Sequence, residues 1–344
     1  CDWCRLGDPW TLNDCLWGCR EPHYTIGGWT QWGYHTDSNG ILNTHPHRIN
    51  NHQSWLYVEK TADGALGFDY GFRADVVYGV DAPDTQAFGE PPPQDHWDNP
   101  WDHGIYGWAV PQLYAELAYE DVSVKIGKFY TIHGYEVTTA PDNFFYSHVF
   151  TYYYSEPFTH TGVLATYTPS DEITLYGGWT AGWDTGYDRF SDLDDSKGSM
   201  FLGGVVYSGI ENVTLTYVLS LGDLGVRGEG YTHSIIADVA LTEKLNYIFH
   251  TDLVELNNST FGGNHEFDIN KRLIYWVNDC LGYGVRGEWW KTNGESLYAI
   301  TGGVNYKPHA NLVFRPEVRY QWGSEDVGIP VDELIFGIDG ILTF

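Results

Sequence analysis

Regular alternation of residue types over long segments is the feature that most constrains what this chain can fold into. In the segment 68–78, Tyr70 and Phe72 fall on one face of an extended chain, and Arg73 and Asp75 fall on the other. The same alternation recurs in the segments 245–252, 283–290 and 312–322. Because successive side chains of a strand point to opposite faces, these patterns predict strands of roughly ten residues, long enough to cross a hydrocarbon layer at a tilt.

The connections between these segments alternate in length. Short links with hairpin-turn residues lie at 62–65, 120–121, 169–172, 210–212, 242–244, 278–280 and 308–311. Longer segments rich in Asp, Asn, Gly, Pro and Trp lie at 36–50, 79–104, 130–157, 181–198, 221–231, 255–270, 291–296 and 323–332. Alternating tight turns and long loops are typical of an up-and-down transmembrane β-barrel, whose short turns form the periplasmic rim.

The fold class predicted from these links is all-β: an antiparallel, up-and-down transmembrane β-barrel of about 16 strands, the size that encloses an aqueous channel. The predicted strands begin near Tyr24, Asn51, Leu66, Pro111, Val122, Phe158, Ile173, Met200, Val213, Thr232, Leu245, Lys271, Leu281, Leu297, Leu312 and Glu333. The barrel is therefore expected over residues 24–344. Residues 1–23 are expected to form a Cys- and Trp-rich appendage at the periplasmic rim or in the lumen.

Composition separates this interpretation from its rivals. Aromatic residues make up 17% of the chain and charged residues 19%, with 40 Gly, which is a strand-and-turn composition. No run of about 18 apolar residues predicts a transmembrane helix. The net charge of −28 argues against nucleic-acid binding. A soluble sandwich or propeller is the alternative fold, but its strands average only about five to six residues.

The last strand and a central region carry a family resemblance. The final strand has apolar residues or glycine at Phe336, Ile338, Gly340, Leu342 and Phe344. An amphipathic strand with a terminal Phe resembles the assembly signal of bacterial outer-membrane proteins. Further matching segments are Gly127-Lys128-Phe129, Gly134-Tyr135-Glu136, Ala140-Pro141-Asp142-Asn143 and 156–162. Over residues 24–344 the chain resembles outer-membrane β-barrel porins, specifically the putative β-barrel porin family of planctomycete type.

The resemblance implies a function and a location. The implied protein is a porin of the bacterial outer membrane that passes small hydrophilic solutes and ions by passive diffusion. No catalytic residues and no cofactor are implied, so the chain is not expected to be an enzyme. The implied partners are outer-membrane lipid, the outer-membrane assembly machinery that recognises Phe344, and two further copies in a homotrimer.

The longest loop, residues 130–157, is the predicted constriction. By similarity to general porins, this third long loop is expected to fold into the lumen. Its acids Glu136, Asp142 and Glu156 would then face the channel, while Tyr135 and the other aromatic residues pack the loop against the wall. The alternative is an external flap whose acidic side chains are solvated.

Basic residues are scarce, so their positions are informative. Those on the polar faces of predicted strands are Arg73, Lys125, Arg272, Arg286, Arg315 and Arg319. A lipid-facing Arg or Lys at mid-membrane costs roughly 2–4 kcal/mol, so these residues are predicted to line the pore. Two hypotheses remain open and can hold together. One is an arginine wall that faces a carboxylate-bearing loop across the lumen, and the other is simple pairing with inward acids such as Glu288 and Glu317. The acidic net charge predicts a preference for cations.

Two possible metal signals are weak. The acidic run Asp184, Asp188, Asp192 and Asp194 resembles the oxygen-ligand density of a Ca²⁺ site but lacks EF-hand spacing, so a solvated acidic loop is favoured. His52 and the histidines of the predicted outer mouth show no helical HExxH spacing and are interpreted as surface residues. No metal site is predicted beyond the Ca²⁺ candidate.

The five cysteines are Cys1, Cys4, Cys15, Cys19 and Cys280. Their spacing near the N-terminus fits either zinc ligands or disulfides, and an oxidising compartment favours disulfides. Cys280 lies in a predicted periplasmic turn, so it is a candidate to staple the N-terminal segment to the barrel. Cys1 would carry a lipid in a lipoprotein, and an earlier signal peptide is assumed to have been removed.

Two other functions stay open. A scaffold or adhesin would use the acidic, Trp-rich loops to bind sugar or a partner, and Trp97, Trp101, Trp108, Trp179 and Trp183 are its candidates, although membrane-interface girdles explain the last three as well. A barrel enzyme would need a catalytic cluster at the rim, and no GxSxG motif occurs.

Overall fold

The computed structural model describes residues 4–18, 23–87, 98, 101–187, 198–257, 259 and 263–344. The first strands are β1 (Thr25–His35), β2 (Asn50–Lys60), β3 (Asp69–Gly79), β4 (Gly107–Ala109), β5 (Leu113–Tyr119), β6 (Val122–Tyr130), β7 (Thr159–Ser170), β8 (Ile173–Thr180) and β9 (Ser199–Ile210). The remaining strands are β10 (Val213–Asp223), β11 (Glu229–Thr242), β12 (Leu245–Asn257), β13 (His265–Asn278), β14 (Leu281–Thr292), β15 (Glu295–His309), β16 (Leu312–Gly323) and β17 (Glu333–Thr343). The helices are α1 (Leu12–Trp17), α2 (Ala82–Thr85) and α3 (Phe150–Tyr154).

The strands form one closed antiparallel barrel. Apart from the short strands β4 and β5, each strand pairs with its neighbour in sequence, and β1 also pairs with β17, with Trp29 opposite Thr343. The short strands β4 and β5 both pair with β3 and are two pieces of one crossing. They are separated by Val110, Pro111 and Gln112, and proline has no N–H for the ladder. The described residues therefore make sixteen crossings, which confirms the predicted fold class.

The two faces of the strands differ as the alternation predicts. In β16, Val318 and Tyr320 are 47% and 40% exposed, whereas Arg315 and Arg319 are 2% and 1% exposed. Outward aliphatic and aromatic side chains recur around the barrel, including Leu56, Leu117, Leu175, Leu215, Ile235, Val285, Ile300 and Phe336. A belt of this kind is what a lipid-facing surface requires. Within the described residues, no helix is long and apolar enough to span a membrane.

Most strand bounds agree with the prediction, but two places on the long-loop rim do not. The prediction begins a strand at Lys271, whereas β13 begins at His265, six residues earlier. The predicted long loop at 291–296 is instead a tight turn, because Asn293 and Gly294 have positive φ angles of 47° and 103° and join β14 directly to β15. An Asn-Gly pair is the preferred centre of a two-residue hairpin.

The N-terminal segment lies on the rim of short turns. Cys4 forms a disulfide with Cys280 in the turn between β13 and β14. Ala310 N donates to Leu6 O at 2.9 Å, in the turn between β15 and β16. Asn13 Oδ1 accepts from the backbone N–H of Ile26, at the start of β1. The candidate staple at Cys280 is thus present, while Cys15 is exposed and not disulfide-bonded. Cys1 and Cys19 lie outside the described residues.

Part of the barrel interior is apolar. The inward residues Phe129, Leu164, Trp183, Met200, Leu202, Val218, Leu224, Val254 and Leu256 form a buried cluster with Tyr114. Trp183 is 2% exposed, and the Arg227 guanidinium lies 5.2 Å from its ring centre. The suggestion that Trp183 belongs to an interface girdle is therefore wrong. Buried polar and charged side chains lie elsewhere in the interior, and the candidate site is among them.

Candidate channel constriction

The loop that joins β6 to β7 lies inside the ring of strands. Thr138 O accepts a hydrogen bond from Gln53 of β2 at 2.8 Å, and Phe150 N donates to Glu288 of β14 at 2.9 Å. Because β2 and β14 are separate parts of the barrel wall, the loop extends into the lumen between them. Residues 131–158 form this segment, which we call the constriction loop.

Glu136 connects the first part of this loop to the barrel wall. Its Oε1 accepts from Arg272 at 2.8 Å and from Arg286 at 2.9 Å, while Oε2 accepts from Val149 N and lies 3.0 Å from His148 Nδ1. Burial by itself would raise the pKa of Glu136, but Arg286 and Arg272 outweigh it and hold that pKa well below its usual range. The side chain is therefore an ionised anchor.

The two arginines of β16 are neutralised in the same way. Arg315 makes a bidentate pair with Asp339 of β17 at 3.0 and 2.5 Å, and it also donates to Ala140 O in the loop at 2.9 Å. Arg319 Nη1 donates to Glu288 at 2.5 Å. Bidentate and charge-assisted contacts of this kind are the stronger class of hydrogen bond. The positive charge of this wall is therefore paired with carboxylates.

Wall carboxylates also hold the loop backbone directly. The two oxygens of Glu317 accept from Tyr146 N at 3.0 Å and from Ser147 N at 3.1 Å. Glu288 accepts from Phe150 N. The loop and the arginine wall are thus in direct contact. Arg272 and Arg286 face the loop carboxylate of Glu136, while Arg319 pairs with the inward acid Glu288. Burying guanidinium groups without a nearby anion would cost several kcal/mol, which favours this packing.

The predicted acids of the loop have different surroundings. Glu136 and Glu156 are 7% and 4% exposed, so the expectation that they face channel water is wrong for both. Asp142 is exposed. Tyr135 is half-buried, and the Arg272 guanidinium lies 4.8 Å from its ring centre, as expected for a residue that packs the loop to the wall.

The other predicted pore-lining cations lie on different strands. Arg73 of β3 is half-buried and pairs with Glu59 at 3.1 Å and Asp75 at 2.8 Å. Lys125 of β6 lies over the ring of Tyr114 at 4.9 Å. Both side chains point inward, on strands away from the arginines of β13, β14 and β16. Their role in lining a pore stays a prediction.

Two cavities, each of about 380 Å³, adjoin the constriction loop on the short-turn side. One is lined by Tyr135, Asn143, Phe144, Lys244, Asn246, Trp276, Asn305, Lys307 and Arg315. The other is lined by Trp10, Thr11, Trp29, Tyr57, Arg73 and Phe344. Pro141 and Asp142 line both. The exposed side chain of Asp142 therefore borders both cavities.

The far end of the loop contains a group that the sequence analysis does not single out. Glu156 Oε1 and Asp252 Oδ1 lie 3.2 and 3.1 Å from His250 Nε2. Burial and the neighbouring Asp252 carboxylate raise the pKa of Glu156 to about 8. The available signal is the i, i+2 spacing of His250 and Asp252, which places both on the polar face of one strand.

Two other predictions concern metal or surface residues. Asp184 Oδ1 accepts from Phe158 N at 2.8 Å and Thr159 N at 2.7 Å. The side chain therefore binds the backbone at the start of β7 and is not part of an exposed acidic loop. The remaining candidates Asp188, Asp192 and Asp194 lie outside the described residues. His52, interpreted as a surface residue, is 1% exposed and bonds to Asp81 at 2.8 Å.

A closed antiparallel barrel of sixteen crossings, with an outward apolar belt and a long loop inside the lumen, defines the porin class of β-barrel. Residues 23–344 match the family model "Putative beta-barrel porin-2, OmpL-like". The chain belongs to this family and is a porin. No curated protein matches it in the corresponding sequence search.

Solved porin structures share the fold. A multiply substituted mutant of the Rh. blastica porin has a TM-score of 0.60 at 13% identity, covering 93% of this chain and 100% of that one. The trimer form of in-vitro folded OmpT, an outer membrane protein of Vibrio cholerae, has a TM-score of 0.58 at 13% identity, covering 93% and 99%. At such identities the likeness concerns the fold alone.

Proposed function

We propose that this porin is a cation-preferring diffusion channel of the bacterial outer membrane. The supporting observation is that the wall arginines have carboxylate partners: Glu136 for Arg272 and Arg286, Asp339 for Arg315, and Glu288 for Arg319. Their positive charge is therefore largely cancelled, while the chain as a whole keeps a net charge of −28. A solute at the loop meets the exposed carboxylate of Asp142, which attracts cations.

The transported solutes in this proposal are small and hydrophilic. The two cavities beside Asp142 combine aromatic and polar walls and leave room for water and small solutes, not for macromolecules. The proposed assembly is a homotrimer, supported by the trimer form of the similar Vibrio cholerae protein. In the folded barrel the ring of Phe344 stacks on that of Trp10, with ring centres 6.4 Å apart. The assembly machinery would therefore recognise Phe344 before folding, while its ring is still free of this contact.

Planar-bilayer recording tests the proposal. The wild-type protein is expected to give stepwise conductance and, under a KCl gradient, a reversal potential that favours K⁺. Asp142→Asn should reduce the K⁺ preference, whereas Asp121→Asn, in the turn between β5 and β6, should leave it unchanged. A reversal potential that favours chloride would overturn the cation preference.

A sealed scaffold is the second candidate function. The observation that favours it is the number of hydrogen bonds between the constriction loop and the wall, for example from Gln53, Glu288 and Glu317. A folded barrel that inserts into bilayers without any conductance step would support the scaffold and contradict the channel.

A further inference from the structure

Glu156, His250 and Asp252 form a compact group of metal-ligand types. One ligand atom from each lies within 4.8 Å of the other two. Glu156 belongs to the end of the constriction loop, while His250 and Asp252 project inward from β12. All three are buried, at 4%, 0% and 3% exposure. The group therefore joins the loop to the wall at a site shielded from bulk water.

The distances fit a bound cation. Ligands that bind Zn²⁺ at about 2.0–2.2 Å lie roughly 2.9–3.6 Å from one another in tetrahedral or octahedral geometry. His250 Nε2 is 3.2 Å from Glu156 Oε1 and 3.1 Å from Asp252 Oδ1. Both separations fall in that range, so small movements would bring all three atoms around one ion.

The hydrogen bonding of the group is incomplete. Among the described residues, Asp252 Oδ2 and His250 Nδ1 are buried atoms without a hydrogen-bond partner, while Glu156 Oε1 has its 3.2 Å contact with His250 Nε2. Buried polar atoms in folded proteins are almost always satisfied, by protein groups, water or an ion. The unsatisfied carboxylate oxygen of Asp252, beside Glu156 and His250, is therefore an open position for a bound cation.

The charges point the same way. Asp268 of β13 accepts from Asp252 N through Oδ2 at 3.1 Å, which adds a third carboxylate beside Glu156 and Asp252. The group therefore brings three carboxylates and the imidazole of His250 together at one buried place. Carboxylates and imidazole are ligand types that bind divalent cations, and a bound cation would compensate the charge of the carboxylates.

Gly134 shows that the backbone is shaped around Glu156. A Cβ atom at position 134 would lie 2.0 Å from Glu156 Oε2, and Gly134 has a φ angle of +78°. Only glycine accommodates both conditions without strain. The first turn of the loop therefore lies directly against the Glu156 carboxylate.

We propose that Glu156, His250 and Asp252 bind a divalent transition-metal ion of the Zn²⁺ type, which fastens the end of the constriction loop to β12. One imidazole with two carboxylates suits such ions, whereas Ca²⁺ and Mg²⁺ prefer oxygen ligands alone. Asp268 supplies further negative charge beside the ion. The site goes beyond the channel function and would exist in a conducting or a sealed barrel.

The test is Zn²⁺ binding by the full-length folded protein. The barrel is purified in detergent, its free thiols are alkylated, and bound metal is removed with EDTA before titration with Zn²⁺. The expected result is one Zn²⁺ per chain by elemental analysis, no displacement by excess Mg²⁺, and an X-ray absorption spectrum with N and O ligands that include imidazole.

Matched variants complete the test. His250→Gln should lose the ion, whereas His265→Gln should retain it, because His265 pairs with Glu255 on an exposed rim outside the group. If His250→Gln does not fold, Asp252→Asn and the wild-type absorption spectrum decide. A folded wild-type protein that binds no stoichiometric Zn²⁺, or a folded His250→Gln variant that binds it equally well, would overturn the proposal. Bilayer conductance is a separate measurement, so the channel function would stand or fall independently of the metal site.

Discussion

The two ends of the constriction loop are equally buried but are held by opposite charge arrangements. At the first, the single carboxylate of Glu136 contacts two guanidinium groups, those of Arg272 and Arg286. At the second, the single imidazole of His250 lies against the carboxylates of Glu156 and Asp252. The difference teaches that one barrel wall can hold a loop either with its own counter-charges or through a group of ligand atoms suited to an added cation.

Removing the carboxylate of the first anchor should have the largest effect. Glu136→Gln takes from Arg272 and Arg286 their nearest anion and leaves two buried cations, which should lower the free energy of unfolding by about 3–5 kcal/mol. Denaturant unfolding followed by tryptophan fluorescence measures it. Glu255→Gln is the control, since its exposed pair with His265 is worth at most about 1 kcal/mol. Equal effects of both variants would contradict the role of Glu136.

Glu317 tests whether wall carboxylates hold the loop through its backbone. In Glu317→Gln, one of the two acceptors for Tyr146 N and Ser147 N becomes an NH₂ group, so a loss of about 1–3 kcal/mol in unfolding free energy is expected. The same denaturant assay applies. Glu325→Gln, in an exposed turn, should change nothing measurable, and a matching loss there would remove the case for Glu317.

In metal-free protein, the second anchor should not show the large loss of stability expected for the first. Glu156→Gln removes one of several crowded carboxylates, so the unfolding free energy should stay within about 1 kcal/mol of the wild type or rise. With Zn²⁺ present, the wild type should become the more stable protein. Unfolding with EDTA and with Zn²⁺ separates the two cases. A loss as large as that of Glu136→Gln under EDTA would erase the contrast between the anchors.

The pH dependence should show the smallest effect. The pKa of Glu136 lies well below its usual range, so its contribution to stability is present above about pH 4.5 and is lost only at still lower pH. Asp84, which accepts from Tyr153 at 2.7 Å, behaves in the opposite way, because burial, with the nearby Asp81 carboxylate, raises its pKa to about 6. The stability that follows from this raised pKa is present below about pH 4 and is lost as pH rises through about 6.

Asp84→Asn isolates that effect. Since Asp84 is half-buried, the change in unfolding free energy between pH 4 and 7 should be below about 1 kcal/mol and should disappear in the variant. Thermal unfolding at a series of pH values measures it. A pH profile that is the same in both proteins would exclude Asp84 as the cause.

Most strands, faces and turns could be predicted from the sequence because each depends on local chemistry. Alternation places Arg315 and Arg319 inward, and short polar links mark the tight turns. The start of β13 was not predictable in this way, because the inward residues Glu266, Asp268 and Asn270 have the composition of a loop. These polar residues are nevertheless buried, because the constriction loop packs inside the barrel.

The contacts of the constriction loop could not be predicted because they join residues distant in sequence. The bond from Arg286 to Glu136 spans 150 residues and depends on the path of the whole loop. Alternation alone gives the direction of Arg286 but not its partner. The same holds for Glu156, whose neighbours on β12 are set by where the loop ends.

The docked N-terminal segment has a consequence for the barrel as a closed ring. The ring closes where β1 meets β17, and at this seam no chain connection joins the two strands directly. Residues 4–13 run from the turn after β13, where Cys4 is bonded to Cys280, to the start of β1, where Asn13 accepts from Ile26 N. They therefore cross the junction between β1 and β17. Separating these two strands would require residues 4–13, which are covalently bonded to the turn after β13, to detach from the start of β1 or to extend between the separated strands.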